Sequence, residues 1–442
     1  MVDILIRNCD AILYEKDVPN VVRHIDIAII GSKIQKIAKT GSFEITDESK
    51  VIEADGQLAI PGLINTHAHV PMVLMRNLAE DVTIESWFND YIWPMESNLT
   101  AEDVYWGALL GIAEMIENGV TCVADHYFYM DEVAKAVEQS GMRANLVWAV
   151  FGHEGEKKLD ETEAFIGRWQ GGADGRITTW FGPHSPYTCD PDYLALVAKR
   201  AKNKGVGIHI HVSETKSQVE LALKDYGKTP VQICKDAGIM DVPTIFAHCR
   251  APQAVDYPLL AQAGTGIGQA PKTYLKHGET IAPVDQYFKH DIPLGLATDG
   301  AVSNNTMDII EQMGLLGMAA KFKMDDPTFL PVEQLVDIAF RSSAKVMQLE
   351  DQIGELKAGM KADIALLNAD GVHMTPRTNV LAAFAYNARG SDVNTVICDG
   401  KVLMQDRELL TIDKERVRTE VQNRVHRLSK RVPDSRIAVY PA

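Results

Sequence analysis

Pro61-Gly62-Leu63-Ile64-Asn65-Thr66-His67-Ala68-His69 is a short apolar run that ends in a His-x-His pair. Leu63 to His69 reads as a β-strand, and alternate strand residues point the same way, so His67 and His69 share one face. Two imidazoles on one face are the start of a divalent metal site. Zinc takes three or four ligands at about 2.0–2.1 Å, so the others must come from distant parts of the chain.

Outward from that strand, the pattern alternates strand with helix at the spacing of repeated βα units. The strand candidates are Leu63 to His69, Thr121 to His126, Arg143 to Val150, Ile177 to His184, Gly207 to Val212, Thr244 to His248, Gly266 to Ala270 and Leu294 to Thr298. Helix ends are legible between them. Thr100-Ala101-Glu102-Asp103 reads as a capping box closed at Gly119, and Asp190-Pro191 opens a helix closed at Gly205. Eight such units predict a (β/α)8 TIM-like barrel over residues 58–359.

Both ends have a different texture. Ile4-Leu5-Ile6-Arg7, Ile27-Ala28-Ile29-Ile30 and Lys33-Ile34-Gln35-Lys36-Ile37 are short strands, as are Asp363-Ile364-Ala365-Leu366-Leu367 and Val393 to Met404 with its Asp399-Gly400 turn. Residues 1–57 and 360–442 are therefore expected to form one small β-sandwich domain from both termini. A charged helix from Lys414 to Arg431 is expected to lie on the solvated surface.

Composition narrows the function classes. With 60 acidic and 44 basic residues among 442, the formal charge of -16 disfavours a nucleic acid partner held through its phosphates. No segment reaches the roughly 18 apolar residues of a membrane span, and Met1 to Arg7 lacks a basic n-region followed by a sustained apolar stretch, so a cytoplasmic protein with no membrane partner is expected. Six cysteines without a C-x-x-C pair read as reduced thiols rather than a zinc knuckle or a redox dithiol.

In such a barrel, functional residues gather at the C-terminal ends of the strands. His67 and His69 end the first strand, His209 and His211 lie in the fifth, His248 ends the sixth, and Asp299 follows the eighth in Thr298-Asp299-Gly300. Together they predict a metal site at one mouth. Gly264-Thr265-Gly266-Ile267-Gly268 is glycine-rich but lacks the strand-turn-helix setting of a dinucleotide fingerprint.

At these positions the chain resembles the amidohydrolase superfamily and, within it, the 5-methylthioadenosine/S-adenosylhomocysteine deaminase family. The resemblance covers nearly the whole length. It is carried by Pro61 to His69, Gly182-Pro183-His184-Ser185-Pro186-Tyr187, His211-Val212-Ser213-Glu214-Thr215, Ala247-His248-Cys249, Ile281-Ala282-Pro283-Val284 and Thr298 to Asn305. It implies a hydrolytic deaminase that releases ammonia from an aminated purine nucleoside such as 5-methylthioadenosine, S-adenosylhomocysteine or adenosine. The implied cofactor is one divalent ion, zinc before iron or manganese, held by His67, His69, His211 and Asp299, with His248 beside the attacking water. It also implies a homo-oligomer.

The chemistry agrees with these roles. A bound divalent ion lowers the pKa of water from ~15.7 to ~7. Deamination also needs protons delivered to a ring nitrogen and to the departing ammonia. Glu214, three residues after His211, is assigned as the proton shuttle. Asp299 both binds metal and accepts the water's proton, and His248 offsets developing charge. The fourth strand, Thr178-Thr179-Trp180-Phe181-Gly182-Pro183-His184, has no lysine to bridge two metals, so one ion is expected and His184 is assigned to substrate. The H-x-E with P-C-x-x-C set of cytidine-type deaminases is missing.

The resemblance further places Glu96, in Trp93-Pro94-Met95-Glu96, on a ribose diol, since a carboxylate accepts from two adjacent hydroxyls. Trp148 stands where the family often has an arginine that contacts the far end of the nucleoside. Gln269-Ala270-Pro271-Lys272-Thr273-Tyr274 replaces the usual His-Asn-Pro-x-Ser-Asn, although Lys276 still fits. Arg250 could supply a replacement cation. The alternatives are a free-base or pterin deaminase, or a related hydrolase with another leaving group, such as a triazine chlorohydrolase or a cyclic amide hydrolase.

Overall fold

The computed structural model describes residues 2–429 and 437–440. Its strands are β1 (Ile4–Glu15), β2 (Val18–Ile30), β3 (Lys33–Lys39), β4 (Lys50–Glu53), β5 (Gln57–Pro61), β6 (Leu63–His69), β7 (Val120–Tyr127), β8 (Arg143–Val150) and β9 (Ile177–Pro183). There follow β10 (Ile208–Val212), β11 (Thr244–His248), β12 (Gly266–Gln269), β13 (Leu294–Leu296), β14 (Asp299–Gly300), β15 (Ile364–Asn368), β16 (Val393–Cys398), β17 (Lys401–Gln405) and β18 (Glu408–Leu409).

The central sheet runs β13-β12-β11-β10-β9-β8-β7-β6-β14, with every pairing parallel. β13 and β14 are two halves of one stretch, broken at Ala297 and Thr298. The first half pairs with β12 and the second with β6, so the sheet closes into a barrel. Side chains of the opening motif sew the seam. Asn65 Nδ2 donates to Thr298 Oγ1 (2.7 Å), Thr298 N donates to Asn65 Oδ1 (3.0 Å) and Thr66 Oγ1 donates to the Leu296 carbonyl (2.9 Å). Gly295 is required there, since a Cβ would lie 2.5 Å from Thr66 Cγ2.

All eight expected barrel strands are present. The two helix starts follow from their caps: Thr100 and Asp103 form a reciprocal box on Ala101–Glu117, and Asp190 accepts from Tyr193 N at the head of Pro191–Lys204, which Gly205 ends at φ 66°.

The termini form one mixed sheet, β18-β17-β16-β15-β5-β1-β2-β3, with β4 on β1. It bends over on itself: Ile34 N donates to the Met360 carbonyl and Ala362 N to the Ser32 carbonyl, so residues 360–362 bridge to β3. Between the layers lies an apolar core that includes Ile6, Ile27, Ile29, Ile34, Ile364 and Ile397. The expected junction at residue 57 falls inside β5, which pairs in this sheet and is separated from β6 only by Gly62. Arg143 at the start of β8 ties barrel to sheet, with Nε on Asp363 Oδ2 (3.0 Å) and Nη2 on Asp363 Oδ1 (3.1 Å), all buried.

The C-terminal helix spans Lys414–Leu428; Lys430 and Arg431, expected to continue it, lie outside the described residues. It is less solvated than its charge suggested. Val417, Val421 and Leu428 are buried, and Arg424 and Arg427 reach Asp103 on the barrel helix Ala101–Glu117. All six cysteines are buried free thiols. Among the described residues, no helix is long and apolar enough to cross a membrane.

Candidate active site

The His-x-His pair of β6 meets His211 of β10 and Asp299 of β14 at the C-terminal mouth of the barrel. His69 Nε2 lies 3.3 Å from His211 Nε2 and 3.4 Å from Asp299 Oδ1, and His67 Nε2 lies 3.7 Å from Asp299 Oδ1. A tetrahedral ion with bonds of about 2.0–2.1 Å spaces its ligand atoms by roughly 3.3–3.4 Å. The donor set therefore fits a divalent ion. His67 Nε2 is fully buried without a hydrogen-bond partner, a state that costs free energy unless something is bound there.

Each ring is aimed from its other nitrogen. His69 Nδ1 donates to the His126 carbonyl (2.5 Å) and His211 Nδ1 to the His184 carbonyl (2.8 Å), which leaves both Nε2 atoms as lone pairs. His67 Nδ1 lies 2.9 Å from His209 Nε2, so His209 stands beneath the cluster and orients a ligand. Burial pushes His67 down to about 3 and lowers His69 and His211, which keeps these imidazoles neutral as metal binding requires. Burial alone would raise Asp299. The adjacent His67 and the fields of His248 and His69 overcome it and hold the carboxyl well below its usual range. Ser303 Oγ donates to its outer oxygen (2.8 Å).

The backbone is strained at the same place. Ser213, His248, Cys249 and Asp299 have φ of 49°, 68°, 40° and 61°. Such left-handed turns in non-glycine residues cost about 1–3 kcal/mol each and persist where surrounding contacts impose them. Of these four, His248 and Asp299 present their side chains to the cavity.

The inner end of that cavity is lined by His69, His126, His184, His211, Glu214, His248 and Asp299. His248 Nε2 stands 3.8 Å from Glu214 Oε1, and its Nδ1 lies 3.2 Å from the Tyr274 hydroxyl. Glu214 is held at three points: Gln218 Nε2 donates to its Oε2 (3.2 Å), its own N donates to Gln218 Oε1 (3.1 Å), and Arg250 Nε donates to its carbonyl (2.8 Å).

The outer end is aromatic, with Trp87, Phe88, Trp93, Phe128 and Phe151. Much of it comes from a π-helical stretch, Trp87–Ile92, running into Trp93–Glu96. The wider turn brings Trp87, Phe88, Ile92, Trp93 and Glu96 to one cavity. Glu96 is no surface residue. Burial pushes its carboxyl up to about 8 beside the Tyr127 phenol.

His184 lines the cavity and stacks on Phe151 at 4.8 Å, while its Nδ1 meets Ser185 Oγ (3.1 Å) and Thr188 Oγ1 (3.2 Å). Of the two further residues expected at substrate, Trp148 stands apart from the lining, and Arg250 lines an adjoining pocket together with Glu214, Thr273 and His277. Strand alternation turns Ala149 and Phe151 inward and Trp148 outward, against Phe165 and under the Lys158 ammonium at 4.6 Å. Arg250 donates Nε to the Glu214 carbonyl and pairs Nη1 with Glu279 (2.9 Å), while its buried Nη2 has no hydrogen-bond partner. His126, His277, Ser303 and the aromatic wall also line the cavity, beyond the residues expected from the sequence. His126 was marked by its place at a strand end, whereas the wall had no signal beyond aromatic content.

A closed barrel with a His/Asp cluster at its C-terminal mouth, facing a deep cavity, defines a metal-dependent barrel hydrolase. The chain belongs to the amidohydrolase family, which it matches over residues 58–403. It is 41% identical to a 5-methylthioadenosine/S-adenosylhomocysteine deaminase of Caldanaerobacter subterraneus subsp. tengcongensis, over 96% of this chain and 98% of that one. The corresponding protein of Pelotomaculum thermopropionicum is 40% identical over 98% of this chain and 100% of its own. Among solved structures, an adenosine deaminase from Xanthomonas campestris with bound zinc superposes with a TM-score of 0.92 at 25% identity, covering 97% of this chain and 98% of that one. An atrazine chlorohydrolase from Arthrobacter aurescens shares the fold, with a TM-score of 0.87 at 24% identity over 96% and 100%.

Proposed function

We propose that the protein hydrolytically removes the amino group of a purine nucleoside of the 5-methylthioadenosine, S-adenosylhomocysteine or adenosine type. The observation that carries this reading is one cavity lined both by a metal-competent cluster with Glu214 and by the buried carboxyl group of Glu96. A single zinc ion on His67, His69, His211 and Asp299 would supply an activated water at neutral pH.

The chain's own residues do the rest. Asp299, kept ionised, takes the proton of the attacking water. Glu214, within reach of His248, carries protons to the ring nitrogen and the leaving ammonia. His248 donates toward the oxygen on which negative charge grows. Glu96 hydrogen-bonds two adjacent hydroxyls of the substrate, and neutral His184 hydrogen-bonds another part of it. The chemistry lies within residues 58–359, with 1–57 and 360–442 as the supporting unit.

The same reading includes a cytoplasmic setting, which six buried free thiols support, and a homo-oligomer. The latter is supported by Met318 and Phe322, one helical turn apart and 56% and 89% exposed. Ammonia release by zinc-replete protein from 5-methylthioadenosine, S-adenosylhomocysteine, adenosine, guanine and a pterin is the test. Release from the nucleosides is expected; none from any of them, with metal at full occupancy, would sink the reading. Chloride release from a chlorotriazine would favour the other branch of the family.

A further inference from the structure

We propose that Tyr440, at the far end of the chain, is a positioning residue for the substrate cavity, bracing its aromatic wall and Glu214 together. The segment Ile437 to Tyr440 is docked by side chains that border the site. Asn89 Nδ2 donates to the Tyr440 carbonyl (3.1 Å) and Tyr440 N donates to Asn89 Oδ1 (2.9 Å), so one amide holds the backbone as a strand partner would. The ring lies parallel to Phe88 at 5.0 Å and edge-on to Tyr187 at 5.4 Å. It is only 4% exposed, with its ring packed between Phe88 and Tyr187 and its hydroxyl held near Thr215.

Each contact leads to the cavity in one step. Phe88, under the ring, is part of the wall. The Tyr440 hydroxyl lies 3.3 Å from Thr215 Oγ1, the residue after Glu214. Thr215 Oγ1 accepts from Gln218 N (3.2 Å) at the head of the helix Lys216–Tyr226, and Gln218 holds the Glu214 carboxylate. Tyr440 therefore acts through Phe88 on the space for the outer part of the substrate, and through Thr215 and Gln218 on the direction of Glu214. Neither residue touches the reacting atoms through Tyr440 itself, so the role is positional.

The inference rests on the proposed deaminase reading for its kinetic arm and on geometry alone for its second arm. Tyr440→Ala, Tyr440→Phe and Asn89→Ala are made in the full-length, zinc-loaded enzyme and assayed well below their melting temperatures. Tyr440→Ala and Asn89→Ala are expected to raise KM about fivefold to tenfold for the best nucleoside, each factor of ten matching the loss of roughly one good contact. Tyr440→Phe, which keeps the ring, should restore KM and retain only a fall in kcat. Amide hydrogen exchange in Tyr440→Ala should speed up in 214–218 and 87–92 and nowhere else in the barrel mouth. Wild-type kcat and KM in all three variants would overturn the proposal. If the wild type acts on no nucleoside, the deaminase reading fails, and unchanged exchange in those two segments then overturns the positional role on its own.

Discussion

The two ends of the cavity are built on different principles. The inner end stands on strand termini, and its working groups are aimed by named partners: His69 by the His126 carbonyl, His211 by the His184 carbonyl, Asp299 by Ser303 and Glu214 by Gln218. The outer end is aromatic surface, much of it from the π-helical insertion between β6 and β7, with Glu96 as its buried carboxylate. Hydrogen-bonded groups on a rigid barrel hold the geometry that a reaction needs. A wall of rings excludes water and can change shape with little effect on that geometry. Damage at the inner end should therefore appear in metal content and kcat, and damage at the outer end in KM.

The largest effect is expected from Asp299→Ala, which on the proposed reading removes a ligand and the water's proton acceptor together. Metal analysis should show loss of the ion and ammonia release should fall more than roughly 10³-fold, since the ion's contribution is several kcal/mol. Retained metal with normal activity would break the inner half of the comparison. Glu214→Gln is expected to cut kcat by about 10²–10⁴-fold while zinc stays stoichiometric, because proton delivery is lost and the ligands are untouched. An active Glu214→Gln enzyme would reassign the shuttle.

Glu96→Gln tests the outer end in two ways. It should raise KM for nucleosides about tenfold, with a smaller change in kcat, by weakening hydrogen bonds to the diol. It should also change the pH dependence of stability. The unfolded chain ionises this carboxyl near its ordinary 4.5, whereas burial raises it to about 8 in the fold. The wild type thus loses stability as pH climbs from 4.5 toward 8, and the loss is complete above that. The melting temperature of substrate-free Glu96→Gln should exceed that of the wild type by more at pH 8.5 than at pH 5; an equal difference at both would mean Glu96 is not the buried acid. The smallest effect is expected from Trp148→Leu, whose ring faces Phe165 and Lys158 instead of the cavity. Its kcat/KM should stay within about twofold of wild type, with some loss of stability from the missing packing.

Barrel and site were legible to different depths. Strand positions and helix caps could be read because alternation, Thr100 with Asp103, and Asp190-Pro191 are local signals whose physics acts within a few residues. The direction of Trp148 was not legible, since a strand buried on both faces carries no polar alternation to say which side looks inward. The partners of Arg250, the Glu214 carbonyl and Glu279, were not legible either, since they are brought to it only by the packing of neighbouring loops. Glu96 could be placed by resemblance, but its burial needed the wider turn of the π-helical stretch.

What the sequence by itself determined was the repeating βα order, the two β-rich ends and the set of chemistry-bearing residues at strand ends, because spacing and turn chemistry are properties of the chain. The closing of the barrel between β14 and β6 was decided in three dimensions, and so was the choice of His211 over His209 as the ring facing His69. Both histidines of β10 point to the same side, and their spacing in sequence cannot rank them. Their height in the barrel does: His209 sits lower and meets His67 Nδ1, while His211 reaches the mouth where Asp299 arrives from the other side of the seam.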